Sequence, residues 1–248
     1  MKGLIVGLAN DQSLAWGCVQ ALKAQGAELA ITWQNDKARP HVEPLTTAIG
    51  ADIAMPMDVR NTVQVQAVFD ALREKWGRLD FLLHSIAFAP KADLQGRVTD
   101  SSVEGFTLAM DVSCHSLIRL VKQVEPLMTD GGSVLTMSFY GSEKVVPGYN
   151  LMGPVKAALE ASVRYLAVEL GPKAIRVNAL STGPVKTRAA SGLSHFDALM
   201  EKAAESAPLH QLVTIDQVGE AAAFLLSDKA RFITGQTIYV DSGYNVLG

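Results

Sequence analysis

A chain of 248 residues with 48% hydrophobic content is long enough for one large core, and α/β folds reach this size as a single domain. Its 22 basic and 25 acidic residues leave a net charge of −3 without blocks of either sign, so the sequence lacks the electrostatic signature of a nucleic-acid or anionic-membrane binder. Cys18 and Cys114 are too widely spaced for a disulfide framework or a metal site, MKGLIVG is too short for a signal-peptide core, and no run reaches membrane-spanning length, so a cytoplasmic protein without metal is expected.

In chain order, a strand at 4–7 and a helix at 13–24 are joined by GLANDQSLAWG (7–17). A dinucleotide pyrophosphate meets helix amides at such a turn, although the regular G-x-G-x-x-G is absent. Gly7 is expected to supply the tight turn, Ala9 to allow close backbone approach, Ser13 to cap the helix and offer a hydroxyl to phosphate, and Gly17 to let helix pack tightly on strand. An ordinary capped loop is the plainer alternative. The second strand, 28–33, ends in Trp33-Gln34-Asn35, without the carboxylate that NAD enzymes usually set against the adenosine ribose. Gln34 can bond a ribose hydroxyl, while Lys37 and Arg39 leave a 2′-phosphate possible, so charge alone leaves NADH and NADPH both open. After a helix at 39–49, the strand 52–57 closes on Asp58-Val59, where the Asp reads equally as an adenine contact and as a helix N-cap.

A helix at 63–76 leads to a strand at 80–87, in which His84 is expected to be hydrogen-bonded scaffold. A helix at 103–128 and a strand at 133–139 follow. FLLHSIA and SVLTMSF are apolar nearly throughout, as in parallel strands covered on both faces. A helix at 149–170, a strand at 175–181, a helix at 215–226 and a strand at 237–241 complete the alternation. It predicts an α/β fold: a single-domain Rossmann-type, doubly wound, seven-stranded parallel sheet over 1–248. The stretch 186–208 breaks the rhythm, and its extra length after a strand is expected to form a helical substrate lid.

Between 138 and 160 two tyrosine–lysine pairs compete: Tyr140 with Lys144, and Tyr149 with Lys156. The first lies on a stretch leading to Val145, Val146 and Pro147, with no regular geometry. The second opens a helical run, and seven residues at about 100° each fall about 20° short of two turns, placing Lys156 on the same face about 10.5 Å along. That spacing suits a lysine gripping a nicotinamide ribose while the phenol reaches substrate, and Tyr149 with Lys156 is the pair chosen.

Taken jointly, GLANDQSLAWG, TWQNDK, MDVR, LLHSIAFAP, Tyr149-x6-Lys156, RVNALSTGPVKTRAASG and IYVDSGYN resemble the bacterial enoyl-acyl-carrier-protein reductase branch of the short-chain dehydrogenase/reductases, over almost the whole chain. The resemblance implies NADH-dependent reduction of trans-2-enoyl thioesters, carried on acyl carrier protein, in fatty-acid elongation by a homotetramer. It places cofactor contacts at Gly7, Ser13, Leu14, Gln34, Asp58, Val59, Ser85, Ile86, Lys156, Val185, Thr187 and Ala189. Ala89, Phe139, Tyr149 and Met152 fall on the substrate side.

Two departures from the family stand out. Many members carry a second tyrosine ten positions before the catalytic one, where this chain has Phe139. The lid stretch SGLSHFDALMEKAAES also lacks the basic cluster expected to greet an acidic carrier. Two alternatives follow: a divergent paralogue acting on other enoyl thioesters, or a nicotinamide-sensing protein without chemistry.

Overall fold

The computed structural model describes residues 1–187 and 196–247. Seven strands, β1 Lys2–Val6, β2 Glu28–Trp33, β3 Ile53–Pro56, β4 Phe81–His84, β5 Gly132–Phe139, β6 Ile175–Thr182 and β7 Thr237–Val240, form one sheet in the order β3-β2-β1-β4-β5-β6-β7. Every neighbouring pair is parallel. Strand addition reverses direction between β1 and β4, which opens a crevice above their carboxyl ends, the place where such sheets bind ligands.

Helices cover both faces, which explains why the central strands are apolar on successive residues and why all eight residues of β6 are buried. One layer holds α3 Thr62–Lys75, α6 Ser116–Val124 and α7 Met152–Leu170, whose Phe69, Leu117 and Leu159 share a cluster with Leu4 and Leu82. The opposite layer holds α1 Leu14–Ala24, α2 Arg39–Ala48 and α9 Ile215–Leu226, whose Cys18, Val42 and Val218 pack with Ile5 and Leu83. A Cβ on Gly17 would collide with the Ile215 carbonyl, and one on Gly219 with the Gly17 carbonyl. Gly17 therefore serves a close crossing of α1 with α9, and not the helix-on-strand packing expected from its position in the first loop.

Three other expectations are corrected. The helix at 103–128 is interrupted: α5 Val103–Met110 passes into a π-turn at Asp111–His115 before α6, and a 3₁₀ turn, Glu125–Leu127, ends it. The break is confined to one turn, too local for a period averaged over several turns to register a π-bulge. The helix expected from 149 begins only at Met152, because Gly148 (φ 81°) and Asn150 (φ 41°) are left-handed and hold Tyr149 in a turn. Asp58 is not a cap: the Asn61 side chain accepts from the amides of Val63 and Gln64 at 3.1 and 3.2 Å and starts α3. The short helix α4, Lys91–Leu94, had no periodic signal, and within 186–208 the described helix is α8, Phe196–Ser206.

Candidate active site

A cavity of about 470 Å³ opens above the carboxyl ends of β1, β4, β5 and β6. It gathers most of the positions singled out in the sequence. Gly7, Ser13 and Leu14 line it from the first turn, and Ser85, Ile86 and Ala89 from the segment after β4. Phe139, Tyr149, Met152 and Lys156 form its floor and wall, with Val185 and Thr187 on the side of the expected lid. Gln34, Asp58 and Val59 lie beyond it, after β2 and β3, and Ala189 lies outside the described residues.

The first turn suits an anionic group. Gly7 has φ +102°, and a Cβ there would strike the Ser85 carbonyl, so only glycine lets β1 turn this close to β4. Ser13 occupies the N-cap position of α1 without capping it, a correction to the expected role. Its hydroxyl turns back, accepting from the Asn10 amide at 2.9 Å and donating to the Asn10 carbonyl at 2.6 Å. The opening amides of α1 are thereby left without a side-chain cap, and no acidic residue sits in that first turn. A phosphate is the natural complement of such a helix terminus.

Beyond the cavity, Arg60 pairs with Asp58 at 2.8 Å. The Arg60 guanidinium holds the Asp58 carboxyl below the usual carboxylate range, and a Gln34 hydrogen bond adds to the effect. Asp58 is thus an ionised acceptor, as recognition of an adenine amino group requires. Arg39 is engaged with Glu43 at 3.1 Å, and the Asn35 side chain closes its own turn on the Lys37 amide at 3.0 Å.

Tyr149 and Lys156 meet at the cavity although they do not share a helix. The turn carries the phenol to the wall, and Lys156, 4% exposed, enters from the second turn of α7 and donates to the Met137 carbonyl at 2.6 Å. Burial pushes the Lys156 ammonium down to about 8, while Glu160 opposes the fall. Burial, and secondarily Glu160, raise Tyr149 above the ordinary phenol range. The phenol is therefore a proton-holding donor. The Phe139 ring packs on it with centroids 4.8 Å apart at 60°, so the departure at 139 keeps the aromatic contact and removes a hydroxyl.

The competing pair is dispersed. Tyr140 leaves β5 in a 3₁₀ turn, packs edge-on to Tyr244 at 5.6 Å, and donates to the Leu247 carbonyl at 3.4 Å, while Lys144 is exposed. His84 is scaffold, as expected: fully buried, it bonds Thr136 and Ser116, each at 2.8 Å, and burial lowers it to about 3. Ser116 in turn donates to the Val112 carbonyl at 2.6 Å, which ties the π-turn to the sheet. Next to that turn, Ser113 brackets Phe88 of the cavity wall, accepting from its amide at 2.9 Å and donating to its carbonyl at 3.0 Å. Ser138, Ser142 and Glu160 form a further cluster that the sequence reading passed over. Its signal was Glu160 one turn after Lys156, on a helix face otherwise apolar at Val155, Leu159 and Val163.

A cavity at the switch point of a parallel 3-2-1-4-5-6-7 sheet, with a phenol and an ammonium converging on it, assigns the fold to the short-chain dehydrogenase/reductase class. Comparison with known proteins narrows this. The family model described as enoyl-(acyl carrier protein) reductase matches residues 7–245. An enoyl-[acyl-carrier-protein] reductase [NADH] of Rhizobium meliloti is 49% identical over 247 residues, covering 100% of this chain and 91% of the relative. The solved enoyl-(acyl-carrier-protein) reductase of Anaplasma phagocytophilum, in complex with NAD, superposes with a TM-score of 0.95 at 50% identity, covering 100% of this chain and 94% of that one. The Bacillus cereus enoyl-acyl carrier protein reductase, solved with NADP+ and an indole naphthyridinone, gives 0.96 at 40% identity over 100% and 97% of the two chains. The chain belongs to the enoyl-(acyl carrier protein) reductase family.

Proposed function

We propose that the protein reduces the trans-2 double bond of enoyl thioesters carried on acyl carrier protein, with NADH as reductant, in fatty-acid elongation. The observation that carries this reading is the convergence of Tyr149 and Lys156 on one cavity beside the uncapped terminus of α1. Gly7 and that terminus fit the pyrophosphate of NADH, Asp58 and Gln34 its adenosine, and Lys156 its nicotinamide ribose. When bound, NADH supplies the hydride that reduces the β-carbon.

Tyr149 donates its hydroxyl hydrogen to the thioester oxygen, where negative charge develops in the transition state, and holds it as an oxyanion donor does. Lys156 spends one N–H on Met137 and keeps two for ribose hydroxyls, which fixes the reacting faces against each other. Phe139 holds the Tyr149 ring edge without adding a second donor. Ala89 and Met152 give the acyl chain an apolar wall; of the expected lid at 186–208, residues 188–195 lie outside the described residues.

The test is loss of NADH absorbance with crotonyl- and dodecenoyl-thioesters, on carrier protein and on coenzyme A, with NADPH in parallel. Turnover with NADH, faster than with NADPH and faster on carrier, is expected, and it should follow the cytoplasmic fraction of cells. Equal rates on the two carriers would instead identify a paralogue with relaxed carrier preference, and tight NADH binding without turnover would identify a sensor. A homotetramer is the proposed assembly: Tyr165 and Val168 leave α7 79% and 80% exposed, a pair of apolar side chains on an outer helix face. Light scattering should give four times the chain mass, and a monomer would rule the assembly out.

A further inference from the structure

Glu160 is an interior charge to which the proposed reaction gives no task. It is 4% exposed on the inner face of α7, among Val155, Leu159 and Val163. A carboxylate persists in such surroundings only with hydrogen-bond donors and an opposite charge within reach. Both are present. Ser138 and Ser142 donate to the same Oε1, the latter at 2.7 Å, and Lys156 stands one helical turn earlier on the same face. Strand β5 grips the two charges with consecutive residues: the Met137 carbonyl takes the ammonium and the Ser138 hydroxyl takes the carboxylate. Ser138 is in register with Ser181, whose fully buried hydroxyl has no hydrogen-bond partner among the described residues, so the row holds a further donor.

We propose that Glu160 is a positioning residue whose negative charge keeps the Lys156 ammonium in its proton-bearing form, an inference that rests on the role proposed for Lys156. Lys156 is useful only with its proton, since the neutral amine loses the charge with which it grips ribose hydroxyls. The carboxylate, one helical turn from the ammonium, opposes the loss of charge that burial imposes on Lys156.

The other titratable groups around the pair do not substitute for it. His84 on β4 is kept neutral by burial, and Cys114 faces Lys156 from the π-turn. On β7, Tyr239 faces Glu160, and the neighbouring Asp241 is committed to the Gly243 and Asn245 amides at 2.9 and 2.8 Å. Glu143, on the turn before Tyr149, is exposed.

The experiment follows two quantities from neutral into alkaline pH: NADH dissociation, read by tryptophan fluorescence, and kcat/KM for a carrier-bound enoyl thioester. In the wild type both should deteriorate as Lys156 loses its proton near pH 8. Lys156→Arg, which does not titrate in this range, should abolish that limb and so identify its owner. In Glu160→Gln the limb is expected about one pH unit lower in both readouts. A carboxylate that merely holds the fold would lower thermal stability and leave the limb where it was, and that result overturns the proposal. If Glu160→Gln does not fold, Glu160→Asp, which withdraws the charge by one methylene, should move the limb the same way by a smaller step, and an unmoved limb there also overturns it. Wild-type protein that binds NADH yet reduces no enoyl thioester would defeat the functional reading, while the binding measurement would still decide the role of Glu160.

Discussion

Tyr149→Phe is expected to lower kcat for enoyl reduction by about 10²- to 10³-fold, the usual cost of removing one oxyanion donor. The NADH dissociation constant should stay within about twofold, because the phenol contacts substrate and Lys156 holds the cofactor. The change deletes one oxygen from a buried ring, so the Phe139 contact, 4.8 Å between centroids, and the surrounding packing survive. Tyr149 lies above the ordinary phenol range, so at neutral pH the group being removed is a hydrogen-bond donor and not a stored phenolate. The residual rate should accordingly stay flat from neutral pH up to the alkaline limb set by Lys156. Stopped-flow single turnovers separate the chemical step from product release. A chemical step slowed less than tenfold would mean that the thioester oxygen is held by some other group.

That prediction rests on a pair legible in the sequence for a reason only half right. Seven-residue spacing brought Tyr149 and Lys156 together on the assumption of continuous helix, but Asn150 at φ 41° breaks it, and the turn delivers the phenol to the cavity by another path. Non-glycine residues at positive φ carry little sequence signal, so the start of α7 was misplaced by three residues. Where burial pattern alone sets an element, as in β2 at 28–33 and α9 at 215–226, expected and observed bounds coincide. The apolar runs of β4 and β5 likewise announced a sheet covered on both faces. Tertiary closure was hidden: Gly17 reads as a cofactor-loop glycine until Gly219 is seen across from it, and the π-turn is too local a break for apolar spacing to register. Glu160 was hidden for the opposite reason. A lysine and a glutamate four apart usually mark a solvated helix face, and only burial shows that this pair points inward.

Lys156→Met is expected to weaken NADH binding by about 10²- to 10⁴-fold and to lower kcat/KM by at least as much. Two charge-assisted hydrogen bonds to ribose hydroxyls, at about 1.5–3 kcal/mol each, account for that range. Methionine fills nearly the same volume, so the effect is one of charge and donors and not of a cavity. Stability should fall as well: the Met137 carbonyl loses its 2.6 Å donor and Glu160 loses the cation one turn away, a cost of about 2 kcal/mol, or roughly 5 °C in Tm for a chain of this size. The double variant Lys156→Met/Glu160→Gln separates the two effects. Removing the carboxylate together with its cation leaves no lone interior charge, so most of the lost Tm should return, whereas NADH affinity should not, since no ribose donor has been restored. Recovery of both would show that Lys156 acts on the fold alone. Recovery of neither would show that Ser138 and Ser142 satisfy Glu160 without help from the ammonium.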